Sequence, residues 1–241
     1  MKITGPLFKW FGSKWLSSRH YGVPDADEII EPFAGGGGYS LRYFDRKVTI
    51  AEADNNLYAL WHWLTKEATE AQVREIPLDL PEGTDIRTIG LNLGQQLLLK
   101  HWQRTNNVGN CWTISPWGNK PGQWTANTRS RVASEFHLIR HWEVYNDAFA
   151  LLADKRDADA MWFIDPPYQF NYGYATGPVS YPRLAEAVMA LQGRAIVCEA
   201  QDPKTGERPT WLPFETFRDT VTSRRKAHQS HHSKELVYRK E

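Results

Sequence analysis

Four consecutive glycines, Gly35-Gly36-Gly37-Gly38, follow almost directly on the short apolar run Glu28-Ile29-Ile30-Glu31-Pro32-Phe33. Neither a strand nor a helix continues through such a stretch, because each glycine has the most backbone freedom to lose and no side chain to pack. The chain must turn there, and a ligand can approach its backbone. Asp54 stands nineteen positions beyond Gly35, just after a second apolar run, Val48-Thr49-Ile50-Ala51. Strand, glycine turn, second strand and acid is the order in which nucleotide-binding α/β folds set a close-approach loop and a carboxylate for ribose hydroxyls. A glycine run alone is as readily a plain flexible turn; the acid at this distance favours the ligand loop. No Gly-Lys-Ser/Thr follows, so a phosphate-cradling P-loop is not expected. A nucleoside without a pyrophosphate fits at least as well as a dinucleotide.

The rest of the chain alternates. Residues 56–66 carry leucine and tryptophan at helical spacing, and residues 183–192 form a helix closed by Gly193. Glu143-Val144-Tyr145, Met161-Trp162-Phe163-Ile164 and Ala195-Ile196-Val197-Cys198 read as buried strands, and 216–222 with 235–239 as a terminal antiparallel pair. Residues 13–22 are expected to form a first helix with Ser13 as N-cap and Gly22 as its stop. The pattern predicts an α/β fold with a mainly parallel sheet covered on both faces. Residues 67–140 interrupt it with a Pro/Gly-bearing stretch at 77–83, a helical run at 91–100 and a Trp/Asn/Gly-rich segment at 102–128. They are expected to be an inserted, largely helical subdomain, leaving 1–66 and 141–241 as the ligand-binding domain.

At 241 residues the chain suits one large domain, or one domain with an insert. Its 41% hydrophobic content excludes a disordered chain, and no stretch approaches the roughly 18 apolar residues of a membrane helix. Residues 1–15 lack the apolar core of a signal peptide, and two cysteines, Cys111 and Cys198, fit a reducing cytoplasm. The net charge of +1 is unevenly spread. Residues 100–142 hold Lys100, Arg104, Lys120, Arg129, Arg131 and Arg140 against Glu135 alone, interleaved with Trp102, Trp112, Trp117 and Trp124. Residues 223–234 hold Arg224, Arg225, Lys226 and Lys234 with no acid. Such basic, aromatic stripes suit a polyanionic partner met on one face. Solvated charge over a tryptophan-packed core is the alternative.

A further motif, Asp165-Pro166-Pro167-Tyr168, follows the run Met161-Trp162-Phe163-Ile164 directly. Two prolines cannot continue a central strand, since neither has a backbone donor, but they fix a stiff turn. That turn falls at the C-terminal end of a strand, where open α/β sheets place their ligands. Asp165 then presents its carboxylate to the crevice, with the Pro166 carbonyl beside it and the Tyr168 ring alongside. An aspartate that merely caps a turn is the plainer account of an Asp-Pro pair; four such residues after a buried strand are a more specific signal.

In chain order, Lys9-Trp10-Phe11-Gly12-Ser13-Lys14, Glu31-Pro32-Phe33-Ala34-Gly35, Ala53-Asp54-Asn55-Asn56 and Asp165-Pro166-Pro167-Tyr168 resemble the motifs of the Dam-like DNA adenine methyltransferases. The resemblance covers both ends of the chain and leaves the insert poorly matched. Ser13 stands where the family commonly has glycine. The segment Arg104-Thr105-Asn106-Asn107-Val108-Gly109-Asn110 only loosely matches the family's recognition segment, so no target sequence is carried over. The resemblance implies a Rossmann-like seven-stranded methyltransferase sheet, S-adenosylmethionine as cofactor, and duplex DNA as partner. It also implies a bacterial or phage-infected cytoplasm, with no metal and no membrane, and a monomer is expected.

By the same resemblance Trp10, Lys14, Asp54 and Asp165 contact the cofactor. Glu31, Phe33, Gly35 and Gly37 of the first loop are further expected contacts, with Asp147 and Phe149 after the third strand. For Asp147 an ordinary helix N-cap is the equal alternative. Asp165, Pro166, Pro167 and Tyr168 are the expected catalytic residues. Arg104, Lys120, Arg129, Arg131, Arg224, Arg225 and Lys226 are expected at DNA phosphates, and Asn106 and Asn107 at base edges. Adenine's exocyclic amine is a poor nucleophile because its lone pair is delocalised into the ring. Acceptors on both its hydrogens favour a pyramidal nitrogen that attacks in line. The base must first be flipped out of the duplex. The alternatives are the same chemistry on a cytosine, RNA or glutamine amine, or a non-catalytic nucleic-acid-binding module. His137 and His141 have metal-like spacing but lack a third ligand, and Glu199 has no role legible from sequence.

Overall fold

The computed structural model describes residues 2–103, 111–116, 118, 120–170, 179–202, 204–214, 218–224 and 234–240, with backbone alone at 218–224 and 234–235. Strand β1 (Glu28–Glu31) lies inside one mixed sheet, ordered β3-β2-β1-β4-β5-β7-β6. β2 (Lys47–Ala51) and β4 (Met161–Ile164) flank β1 in parallel. β3 (Glu143–Tyr145) extends the sheet beyond β2, and β5 (Arg194–Ala200) beyond β4, again in parallel. β7 (Lys234–Lys240) runs antiparallel on β5, and β6 (Arg218–Arg224) antiparallel on β7. The fold is therefore α/β with a mixed sheet, an arrangement compatible with a Rossmann-like fold. The chain moves outward from β1 to β2 and β3, then returns to the other side of β1 as β4. The C-terminal ends of β1 and β4 thus form the crevice where such sheets bind ligands.

Short polar residues start the helices. Asp54 caps α1 (Asn55–His62), accepting from the Asn56 and Leu57 amides, and a π-helical turn, Trp63–Glu67, continues it. Reciprocal capping boxes start α2 (Glu70–Glu75) at Thr69/Gln72 and α3 (Leu93–Trp102) at Asn92/Gln95. Thr125 caps α4 (Ala126–Glu135), and Asp147 caps α5 (Ala148–Asp154). Helix α6 (Tyr181–Ala190) carries a proline in its first turn.

Alternate strand residues face two apolar clusters, as expected of parallel strands buried on both sides. Ile29, Val48, Ile50, Phe163 and Ile196 enter the larger cluster; Ile30, Ala51, Trp162, Ile164 and Val197 enter the other, with α5 and α6. Between β2 and β3, the described residues of 67–140 include helices α2, α3 and α4. Their Ile86, Leu97, Leu98, Trp102, Trp124, Val132 and Phe136 belong to the same cluster as Ile29 and Phe163.

The helix expected over residues 13–22 does not form; only a 3₁₀ turn, Ser18–His20, appears there. The reason lies in the glycine run. Gly12 takes φ +81°, and the segment after it is laid against residues 35–38. A Cβ at Gly35 would stand 2.6 Å from the Trp10 ring, one at Gly36 3.1 Å from Ser13, and one at Gly38 2.3 Å from the Trp15 backbone nitrogen. Close approach by the protein's own N-terminal segment therefore requires these glycines. Gly38→Ala forces that segment outward, at an expected cost of about 1–3 kcal/mol or more. The measurement is the urea midpoint of unfolding, which should fall; an unchanged midpoint contradicts this packing.

Candidate functional site

The loops leaving β1, β2, β3 and β4 enclose a cavity of about 360 Å³ together with the N-terminal segment and the entry to α6. That volume lies within the range of small-molecule sites. Residues 10–14, 31–36, 52–54, 146–149, 165, 167, 179 and 180 line it. Trp10, Lys14, Glu31, Phe33, Gly35, Asp54, Asp147, Phe149, Asp165 and Pro167, far apart in sequence, are thus brought together. Gly37 is not among them. It takes φ +58° and faces the Trp61 ring, where a Cβ would come within 2.9 Å, so its role is packing.

Among the charged residues of the lining, acids predominate. Glu31, Glu52, Asp54, Asp147 and Asp165 face one ammonium, that of Lys14, among the described residues. Lys14 is 6% exposed and bridges the two halves of the site. Its Nζ lies 2.7 Å from Asp165 Oδ2 and donates to the Tyr168 hydroxyl at 2.8 Å and the Gly12 carbonyl at 3.3 Å. Tyr168 stands behind Lys14 against the larger apolar cluster rather than in the cavity wall. Pro166 is buried. The carbonyl that accepts from the Tyr181 hydroxyl, at 2.8 Å, is that of Pro167. No hydrogen bond to the Pro166 carbonyl occurs among the described residues.

Glu52 is the site residue that sequence reasoning missed, although an acid directly after β2 was its available signal. Its Oε2 accepts from the Gly35 amide at 3.0 Å and its Oε1 from the Asp54 amide at 2.9 Å. One carboxylate therefore locks the glycine loop to the acidic turn. Burial pushes the Glu52 carboxyl up to about 7, against the pull of those amides. Glu31, 1% exposed, accepts from the Ser40 amide at 3.3 Å and hydroxyl at 2.5 Å. Burial pushes it up to about 8; the Ser40 bonds oppose this, and the Asp165 charge adds to it. Asp54 uses Oδ1 to cap α1, at 2.9 and 3.0 Å, so only Oδ2 remains for a ligand. Asp147 is an N-cap as well, holding the Phe149 and Ala150 amides at 2.7 and 3.1 Å while lining the cavity.

The expected DNA-facing residues are distributed differently. Arg131 is a strut. Its guanidinium holds Glu135 at 2.8 Å, the Gly5 carbonyl at 3.2 Å and the Pro6 carbonyl at 2.7 Å. Arg129 donates to the Ile76 carbonyl at 3.0 Å. Both are half-buried, Arg129 held within the helical segment and Arg131 joining it to the N-terminal residues. Trp102 and Trp124 are buried in the core, and Lys120 is exposed. Arg104, Asn106, Asn107, Trp117, Arg225 and Lys226 lie outside the described residues, as does the Arg224 side chain. His137 and His141 do not share an α-helical face, because α4 ends at Glu135 and a 3₁₀ turn, Phe136–Ile139, follows. Among the described residues no cluster could hold a metal ion, and no helix is long and apolar enough to cross a membrane.

The chain matches no family profile and no curated protein. It is similar to a solved structure, a conserved hypothetical protein of Streptococcus pyogenes, at 14% sequence identity, over 89% of this chain and 86% of that one, with a TM-score of 0.37.

The raised carboxyls have a consequence for stability. The folded protein holds the Glu31 proton more tightly than the unfolded chain, whose carboxyl keeps its ordinary value near 4.5. The stability linked to this group is complete below that value and is lost as pH rises through about 8. Glu52 acts in the same direction up to about 7. Thermal unfolding between pH 5.5 and 8.5 should therefore show Tm falling with pH, and Glu31→Gln should flatten that fall. An equal slope in the variant contradicts the burial of an acid here.

Proposed function

We propose that the chain is a DNA adenine methyltransferase of the kind its motifs resemble, moving a methyl group from S-adenosylmethionine to the 6-amino group of adenine in duplex DNA. One observation carries the reading: Asp165, fixed by a Pro-Pro turn at the end of β4, opens on an acid-lined cavity at the sheet's switch point.

The lining fits the cofactor's chemistry. A ligand bearing an ammonium and a sulfonium suits a wall of five acidic side chains and one lysine, because its positive charge favours ionisation of the buried Glu31 and Glu52. Asp54 Oδ2 can accept from ribose, and the Phe33 and Phe149 rings offer apolar surface to a purine. When bound, S-adenosylmethionine supplies a methyl group made electrophilic by its sulfonium. The chain's own residues do the rest. The Asp165 carboxylate and the Pro166 carbonyl are acceptors for the two amine hydrogens. Their turn is stiffened by two rings with fixed φ, so it needs little reorganisation when charge develops on nitrogen. Asp165 is also the acceptor for the proton that the methylated amine must lose. Lys14 keeps a positive charge at Asp165 Oδ2, and Tyr168 buttresses Lys14 from behind. A base inside a duplex cannot reach Asp165, so flipping is part of the proposal.

Asp165→Ala tests this reading. Labelled methyl transferred to unmethylated genomic DNA should fall by at least about 100-fold, the scale of losing a preorganised polar group at a reacting centre. A folded variant working at near wild-type rate contradicts it.

A further inference from the structure

Glu199 sits at the C-terminal end of β5 with 0% exposure, and nothing in the proposed reaction uses it. A buried carboxyl without an ammonium or guanidinium partner is expensive unless hydrogen bonds compensate. Here three donors do. Oε1 accepts from the Gln169 amide at 3.2 Å and from the Trp211 indole Nε1 at 2.7 Å, and Oε2 accepts from the Ala200 amide at 3.0 Å. All three partners are donors, so only a group with two acceptor oxygens and no donor satisfies them together. A glutamine would turn an NH₂ toward one of these N–H groups.

The contacts have a direction. Gln169 is the residue immediately after Asp165-Pro166-Pro167-Tyr168. Its side chain is tied at both ends to Thr210, accepting from that amide at 2.9 Å and donating to that hydroxyl at 3.4 Å. Trp211, next in the chain, lies against Tyr181, ring centroids 5.8 Å apart, and Tyr181 holds the Pro167 carbonyl. Glu199 therefore joins the exit of the turn to the segment that also braces its middle. Lys14 grips the same turn from the cavity side, at Asp165 and Tyr168.

We propose that Glu199 is a positioning residue, which acts through Gln169 and Trp211 to set where the Asp165-Pro166-Pro167-Tyr168 turn stands over the cavity, and so how the target amine meets its acceptors. This rests on the methyltransferase reading above. Displacing a reacting group by about 1 Å costs on the order of 100-fold in rate, so a loosened turn lowers turnover while cofactor binding stays.

The test compares wild type, Glu199→Gln, Trp211→Phe and the double variant as full chains. It measures kcat and KM on unmethylated genomic DNA, S-adenosylmethionine Kd by calorimetry, and the ¹⁵N-indole resonances by NMR. Glu199→Gln should lower kcat by about 10–100-fold with KM and Kd within about threefold, and the Trp211 indole N–H resonance should move as its acceptor loses its charge. Trp211→Phe keeps the ring and removes the donor. It should lower kcat by a smaller factor, and the losses should combine to less than their product in the double variant, because both changes act on one hydrogen-bonded cluster. Wild-type kcat in folded Glu199→Gln overturns the proposal, as does a loss shared equally with cofactor Kd. Should Glu199→Gln not fold, Trp211→Phe decides: undiminished kcat overturns the proposal and a kcat loss at constant Kd supports it. A wild type that transfers no methyl overturns the methyltransferase reading itself, whereas active wild type with equally active variants removes only the role of Glu199.

Discussion

Loops that leave the C-terminal ends of parallel strands carry backbone N–H groups with no strand or helix to pair them. In this chain buried glutamates take those groups. Glu52 holds the Gly35 and Asp54 amides, Glu31 the Ser40 amide, and Glu199 the Gln169 amide. Each therefore fixes backbone just beyond a strand end, and Glu31 and Glu52 also line the cavity. The same choice sets its electrostatics. Acids are concentrated where burial makes ionisation costly, which is why the carboxyls of Glu31, Glu52 and Glu199 rise to about 8, 7 and 7. A cationic ligand would relieve that cost. Buried acids of this kind lower stability at the C-terminal ends of the sheet's central strands, a common condition of binding sites.

Lys14 is the counterweight. Breaking a buried ion pair from one side leaves an uncompensated charge, a loss of roughly 3–5 kcal/mol. Without Lys14, Asp165 would face Glu31 with no such cation beside it, and the Asp165 charge already disfavours ionisation of Glu31. The N-terminal segment that delivers Lys14 is seated by Gly35, Gly36 and Gly38, where a Cβ would crowd Trp10, Ser13 or the Trp15 backbone. The glycine run thus shapes the site twice, as cavity lining at Gly35 and Gly36 and as the seat of Lys14.

Much of this was legible in the sequence because it is local. Apolar runs bounded by turn residues mark β1 to β5, and the Asp-Pro-Pro turn announces the end of β4. What was illegible is what depends on distant partners. Ser13 reads as an N-cap only while the glycines that hold its segment in an irregular path are ignored. The bonds from Arg131 to the Gly5 and Pro6 carbonyls join distant parts of the chain and leave no spacing signal. Helix α4 carries too weak an apolar stripe in Ala126–Glu135 to stand out, and its helical state follows from the Thr125 cap and from packing on α2. Glu199 has partners 30 and 12 residues away, and no spacing rule links them.

Methylation of adenine in DNA by the cavity and the Asp165 turn is the proposed function. The most direct measurement is the nucleoside composition of unmethylated duplex DNA after incubation with the purified chain and S-adenosylmethionine, read by mass spectrometry of an enzymatic digest. The account predicts N6-methyldeoxyadenosine in the wild-type digest and none with Asp165→Ala. A methylated cytosine in its place, or DNA left unmodified by a folded protein that binds the cofactor, would contradict it.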